Sequence, residues 1–152
     1  MSIPYGHLIR ILHWCTDQAI TNTLEAQNLT AAQGRIIGFV AHHQEAPCPK
    51  DIELAFRLSH PTVSGLLSRL EQKGFLELRT DAQDRRCKRI YLLPLGQQCH
   101  AQIHQSIQEI EATIVKGFTP EEQAQFQSFL RRAVENLDGC PTQTDSKEEP
   151  QP

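Results

Sequence analysis

The chain has 152 residues, of which 39% are hydrophobic and 22% charged, and a net charge of −3. That length and balance suit one compact domain with an ordinary core, and exclude two large domains or a chain too polar to fold. No apolar run approaches the roughly 20 residues of a membrane span, no basic segment followed by an apolar stretch opens the chain, and five scattered cysteines without a CxxC pair fit reduced thiols, so the expectation is a cytoplasmic protein without a closed zinc site.

From about Pro4 to Gln27, the residues Leu8, Ile9, Leu12, Ile20 and Leu24 recur at spacings of three and four or their sums, which predicts a long amphipathic helix with a continuous core-facing stripe. Thr30 and Gln33 form a capping box, predicting a second helix from about Ala31 to His43 that Ala46-Pro47 ends. Pro49 suits the first position of a short third helix through about Phe56. Leu58-Ser59-His60 then reads as a turn before Pro61 opens a fourth helix, the arrangement of a helix-turn-helix. Val63, Leu66, Leu67 and Leu70 place one face of the fourth helix in the core and leave Thr62, Ser64, Gly65, Ser68, Arg69 and Gln72 outward, up to Lys73. Gly74 suits a left-handed residue after the helix. Phe75 to Arg79 and Lys88 to Leu92 alternate as two strands, and the polar, basic segment Thr80 to Cys87 between them is expected to project as a wing. Ile103, Ile107, Ile110 and Ile114 repeat with helical period after Pro94, giving a fifth helix that ends near Gly117. Thr119-Pro120-Glu121-Glu122 caps a sixth, from about Pro120 to Leu137, with an apolar face of Phe126, Phe129, Leu130, Val134 and Leu137. Residues 139 to 152 are Pro-, Thr- and Glu-rich and are expected to be a disordered tail.

Charge is unevenly distributed. Between Arg57 and Arg89 there are eight basic residues (Arg57, Arg69, Lys73, Arg79, Arg85, Arg86, Lys88, Arg89) and four acidic ones (Glu71, Glu77, Asp81, Asp84), a balance of +4, so the remainder of the chain carries −7. A basic stretch on an acidic body is the footprint of a polyanion-binding face. Hydroxyl side chains on a helix that fits a major groove can meet base edges, an arginine on a projecting loop can reach a minor groove, and Arg69, Arg85, Lys88 and Arg89 can neutralise phosphates. Pro61, Gly65 and Arg79 belong to the same expected surface.

In element order and in these residues the chain resembles the MarR (multiple antibiotic resistance regulator) family over roughly residues 5 to 137. The resemblance is carried by Leu29-Thr30-Ala31-Ala32-Gln33, by Pro61 to Gly74 as recognition helix, and by Asp84-Arg85-Arg86, which matches the family's D-x-R signature in the wing. It implies that Thr62, Ser64 and Ser68 face the major groove, that Arg86 enters the adjacent minor groove, and that Asp84 orients an arginine through a salt bridge. Gly65 departs from the longer residue common there. The expected fold is mainly α with a small β wing: a winged helix-turn-helix of about six helices and a two- to three-stranded antiparallel sheet. A single domain would cover residues 1–138, with a DNA-binding lobe at about 30–93. The resemblance further implies dimerisation through helices at about 4–27 and 95–138, and an effector pocket between those helices and the lobe. The expected function is that of a ligand-responsive repressor, a homodimer binding double-stranded DNA at a pseudo-palindromic operator, with recognition helices about 34 Å apart and no required cofactor.

Other readings stay open. His100 and His104, spaced i, i+4 beside Cys99, could ligate zinc together with His42 or His43, as in zinc-sensing members of the family, or simply lie on a polar helix face. Cys15 sits where peroxide-sensing members place a reactive thiol, yet the only tyrosines are Tyr5 and Tyr91, and a buried, inert cysteine is the commoner case. Cys87, flanked by Arg86 and Lys88, is a second candidate thiol. His13 and Trp14 could line an effector pocket together with Cys15, or be core or dimer contacts. A winged-helix protein-interaction module that no longer binds DNA is the competing class. No nucleophile elbow, phosphate-cradling glycine loop or HExxH helix points to an enzyme.

Overall fold

The computed structural model describes residues 2–137, so the expected tail at 139–152 lies outside the described residues. The chain divides into two compact units with the boundary between Ala112 and Thr113.

In the first unit, α1 spans Tyr5–Glu25 and α2 spans Ala31–His42. Asn28, in the left-handed region at φ 56, turns the chain between them. Thr30 then caps α2: its hydroxyl accepts from the Gln33 amide at 3.3 Å, while the Gln33 side chain accepts from the Thr30 amide at 3.0 Å, so two otherwise orphaned donors are satisfied at once. α3 spans Pro49–Phe56. Its start is held by the Cys48 amide donating to Asp51 Oδ2 at 2.8 Å, and its end by Arg57 at φ 52.

The helix α4, His60–Gln72, begins one residue earlier than the position of Pro61 suggests. Ser59 takes the N-cap role, its hydroxyl accepting from the Thr62 amide at 3.4 Å, and Pro61 falls in the first turn, where it has no hydrogen bond to lose. His60 Nδ1 meets Glu53 Oε1 at 2.6 Å, tying α4 to α3. Val63, Leu67 and Leu70 are buried, as their spacing requires. Gly74, at φ 80, ends the helix, and the Phe75 amide donates back to the Leu70 carbonyl at 3.0 Å.

The strands β1, Leu76–Thr80, and β2, Lys88–Leu92, form a two-stranded antiparallel sheet in the register Leu76↔Leu92 to Thr80↔Lys88. Leu76 and Ile90 are buried. The Ile90 amide donates to the Pro47 carbonyl at 2.8 Å, so the segment before α3 flanks β2 as a third extended piece. α5 spans Pro94–Ile114, starting at Pro94 itself and stopping short of Gly117, which adopts φ 85. Gly96 lies in its first turn against the Phe75 carbonyl: a Cβ there would come within 2.1 Å of that oxygen. Of the apolar stripe on α1, only Leu24 is buried and Ile20 packs against the core; Leu8, Ile9 and Trp14 are exposed. The expected continuous core stripe therefore holds only for the C-terminal half of that helix.

In the second unit, α6, Pro120–Glu135, opens on a capping box in which the Thr119 hydroxyl accepts from the Glu122 amide at 3.2 Å and Glu122 Oε2 accepts from the Thr119 amide at 2.8 Å. Phe118 and Phe126 meet edge to face at 5.7 Å. No residue of α6 is buried, and Phe129, Leu130 and Val134 are exposed.

Candidate nucleic-acid interface

The burial of Val63, Leu67 and Leu70 turns the opposite face of α4 outward, so Pro61, Thr62, Ser64, Gly65, Ser68 and Arg69 are all exposed. The Thr62 and Ser59 hydroxyls meet at 2.8 Å at the N-terminus of α4, where free backbone amides favour a phosphate. At Gly65 an added Cβ would meet nothing within 4 Å, which leaves a smooth patch between the hydroxyls. Hydroxyls without their own charge can donate to or accept from base edges, and a helix of this diameter fits a major groove.

The wing, residues 81–87, is built around Asp81. Its Oδ1 accepts from the Gln83 amide at 2.7 Å and the Asp84 amide at 3.3 Å, and its Oδ2 accepts from Arg89 Nε at 2.6 Å. Arg89 also donates to the Ala46 carbonyl at 3.1 Å. The Arg89 guanidinium first, then the two backbone amides, hold the Asp81 carboxyl down at about 2, and the same pairing raises Arg89 above its usual value. The salt bridge that the resemblance assigned to Asp84 is thus made here by Asp81. Asp84 instead shapes the turn, its Oδ1 accepting from the Arg86 amide at 2.9 Å. Arg89 is half-buried and braces the wing against the segment before α3, which sets it apart from the free cations.

Arg79 is likewise engaged: its guanidinium donates to Glu77 and lies over the Tyr91 ring at 4.7 Å. Arg69, Arg85, Arg86 and Lys88 are exposed and form no ion pair among the described residues. Their charges are available to a polyanion, and three of the four sit in or beside the wing. Asp81 as the organiser of the wing was not foreseen from the sequence; the signal was an acid one residue beyond the last paired residue of β1, facing a basic strand.

The structure brings His42 and His100 together, ring edge to face at 4.8 Å, with His42 Nδ1 at 2.8 Å from the Gly38 carbonyl. Burial, then the neighbouring charges of His42 and His104, lower the His100 pKa. His104 is exposed, and among the described residues no group of three His, Cys, Asp or Glu side chains is placed to hold a metal ion. Cys99 is fully buried. His13 and Trp14 are exposed on α1 and Cys15 is half-buried. A separate cleft of about 420 Å³ opens between the C-terminal end of α2, β2 and the start of α5, lined by His43, Glu45, Tyr91, Gln97 and His100 among others.

Comparison with known proteins gives a consistent result. A model of the MarR family matches residues 27–86. MepR, a transcription regulator of the Staphylococcus aureus multidrug efflux pump MepA, is 31% identical; the match covers 89% of this chain and 99% of that one, with a TM-score of 0.77. The S. aureus MepR–DNA complex matches at 31% identity and a TM-score of 0.78 over 88% of this chain and 99% of that one. The structure of a putative MarR family transcriptional regulator from Clostridium acetobutylicum is 29% identical over 89% of this chain and 99% of that one, with a TM-score of 0.74. No helix among the described residues is long and apolar enough to cross a membrane.

Proposed function

The chain belongs to the MarR family of transcription regulators, and we propose that it is a sequence-specific repressor that binds a pseudo-palindromic operator as a homodimer and releases it when a small molecule binds. The observation that carries this reading is the pairing of an exposed, hydroxyl-lined α4 with a wing whose Arg85, Arg86 and Lys88 are unpaired among the described residues, in a chain 31% identical to a protein solved in complex with DNA. Thr62, Ser64 and Ser68 read bases, Arg86 enters the minor groove, and Arg69, Arg85 and Lys88 neutralise phosphates. The homodimer is supported by large side chains with no cover in the single chain: Trp14 is 64% exposed in α1 and Phe129 59% in α6. Exposed apolar surface of this kind marks an interaction face. The release step is supported by the cleft beside β2, of a size that suits a small ligand, and by a related MepR structure that holds ethidium. The protein acts in the cytoplasm and catalyses no reaction.

Fluorescence anisotropy of a labelled duplex from the region upstream of its own gene, against a scrambled duplex at two salt concentrations, tests the reading. Tighter, steeply salt-dependent binding to the native duplex is expected. Absence of binding to either duplex at low salt would replace it with a protein-interaction module on the same fold.

A further inference from the structure

The exposed face of α4 carries a side chain that the DNA-binding reading leaves unused. His60 is the first residue of the helix, and its side chain is 76% exposed beside the exposed Pro61 and Thr62. Its Nδ1 lies 2.6 Å from Glu53 Oε1. Glu53 is a firm support: its side chain is only 17% exposed, and its backbone carbonyl accepts from the Leu58 amide at 3.1 Å where Arg57, at φ 52, turns the chain from α3 into α4. A carboxylate oxygen can only accept, so the hydrogen of the pair sits on Nδ1. The neutral ring then keeps Nε2, on its far side, as an acceptor, and that nitrogen has no hydrogen-bond partner among the described residues. An exposed pair of this kind adds little to folding stability. It removes the freedom of an exposed side chain before any partner arrives, which is the advantage of a preorganised contact over a loose one.

We propose that His60 reads one base of each operator half-site through Nε2, with Glu53 as its positioning residue, and that the base it meets carries an amino group in the major groove. The inference rests on the DNA-binding reading and names a specificity-determining residue within it. Adenine offers its N6 hydrogen and cytosine its N4 hydrogen to the major groove, whereas guanine and thymine present only acceptors there, beside the thymine methyl. An accepting Nε2 pairs with the first two bases and meets the other two lone pair against lone pair. The rest of the helix start is less selective. Gly65 brings no side chain, and the Ser59 and Thr62 hydroxyls are bonded to each other at 2.8 Å. A hydroxyl rotates to donate or accept and so tolerates either kind of base edge; an imidazole held by a carboxylate has one role and one direction. Glu53, on α3, acts on the base only through the hydrogen it holds on His60.

Two measurements on the full chain test it. Nitrogen NMR of the free protein at about pH 8.5, where histidine is ordinarily neutral, shows which ring nitrogen of His60 carries the hydrogen. Expected is Nδ1 in the wild type and in Glu53→Gln, whose amide oxygen still accepts, with a shift towards the Nε2–H form in Glu53→Ala. Selection of duplexes from a random-sequence pool at the same pH then gives the base preferences of each protein. The wild type and Glu53→Gln should enrich adenine or cytosine at one position of each half-site, with discrimination of about fivefold or more against guanine or thymine, the lower end for a specific base contact. His60→Ala should lose that preference and keep the others, and Glu53→Ala should weaken it. Hydrogen on Nε2 in the wild type overturns the proposal, as does a uniform loss of affinity in His60→Ala with every preference intact, the mark of a phosphate contact. If Glu53→Ala fails to fold, His60→Ala decides, because its side chain is exposed and its removal leaves the core untouched. A wild-type pool that stays random refutes the DNA-binding reading and takes this inference with it; pools of wild type and His60→Ala that converge on the same sequence refute this inference alone.

Discussion

Replacing Arg86 with alanine separates a free cation from an engaged one. Arg86 is exposed and its guanidinium has no ion-pair partner among the described residues, so its removal breaks nothing in the free protein. Stability should therefore change by less than about 0.5 kcal/mol, as for other surface substitutions. Against DNA the same change removes a groove contact, with an expected loss of roughly 1 to 3 kcal/mol, or about 5- to 150-fold in affinity. Arg79 supplies the control. Its charge is matched by Glu77 and its face is spent on Tyr91, so Arg79→Ala should weaken binding by at most about threefold, comparable to an exposed ion pair. Both variants are titrated by anisotropy at one fixed salt concentration, with urea unfolding run in parallel. Unchanged affinity in Arg86→Ala, or a larger loss in Arg79→Ala, would refute the division of the wing arginines into free and engaged groups.

Further outcomes follow from the same geometry. Asp81 is held at about 2 against an ordinary value of 3.8, so the stability it contributes is complete above about pH 3.8 and is lost as pH falls towards 2; Asp81→Asn should flatten the fall in urea midpoint over that window, and an unchanged slope would count against the Arg89 brace. Gly65→Ala adds a methyl that meets nothing and should stabilise the free protein by about 1 kcal/mol, raising Tm by roughly 2 to 4 °C by calorimetry. Gly96→Ala forces a Cβ onto the Phe75 carbonyl and should cost roughly 1 to 3 kcal/mol in urea unfolding; wild-type stability would show that α5 shifts freely.

Much of this was legible in the sequence because it is local. The Thr30–Gln33 and Thr119–Glu122 boxes, the i, i+3, i+4, i+7 run of Val63, Leu66, Leu67 and Leu70, and the two alternating strands each specify an element without help from the rest of the chain. The start of α4 was displaced by one residue because proline is as comfortable in the first turn as at its opening position, and the serine hydroxyl decided the boundary. The stripe on α1 signalled apolar surface without saying what covers it, and in the single chain only its C-terminal half meets the core. What the sequence hid is long-range: the Arg89–Asp81 brace joins residues eight apart across a hairpin, and the Pro47 carbonyl accepts from the Ile90 amide of β2.

The central claim, that a dimer of this chain reads duplex sequence through α4 and the wing, is tested most directly by repeated selection of bound duplexes from a random-sequence pool, followed by sequencing. The account predicts enrichment of an inverted repeat whose half-sites are about one helical turn, roughly 10 base pairs, apart, with a preference for A·T pairs where the wings meet the minor groove. A pool that stays random after several rounds, or one that converges on a single asymmetric site, would contradict it.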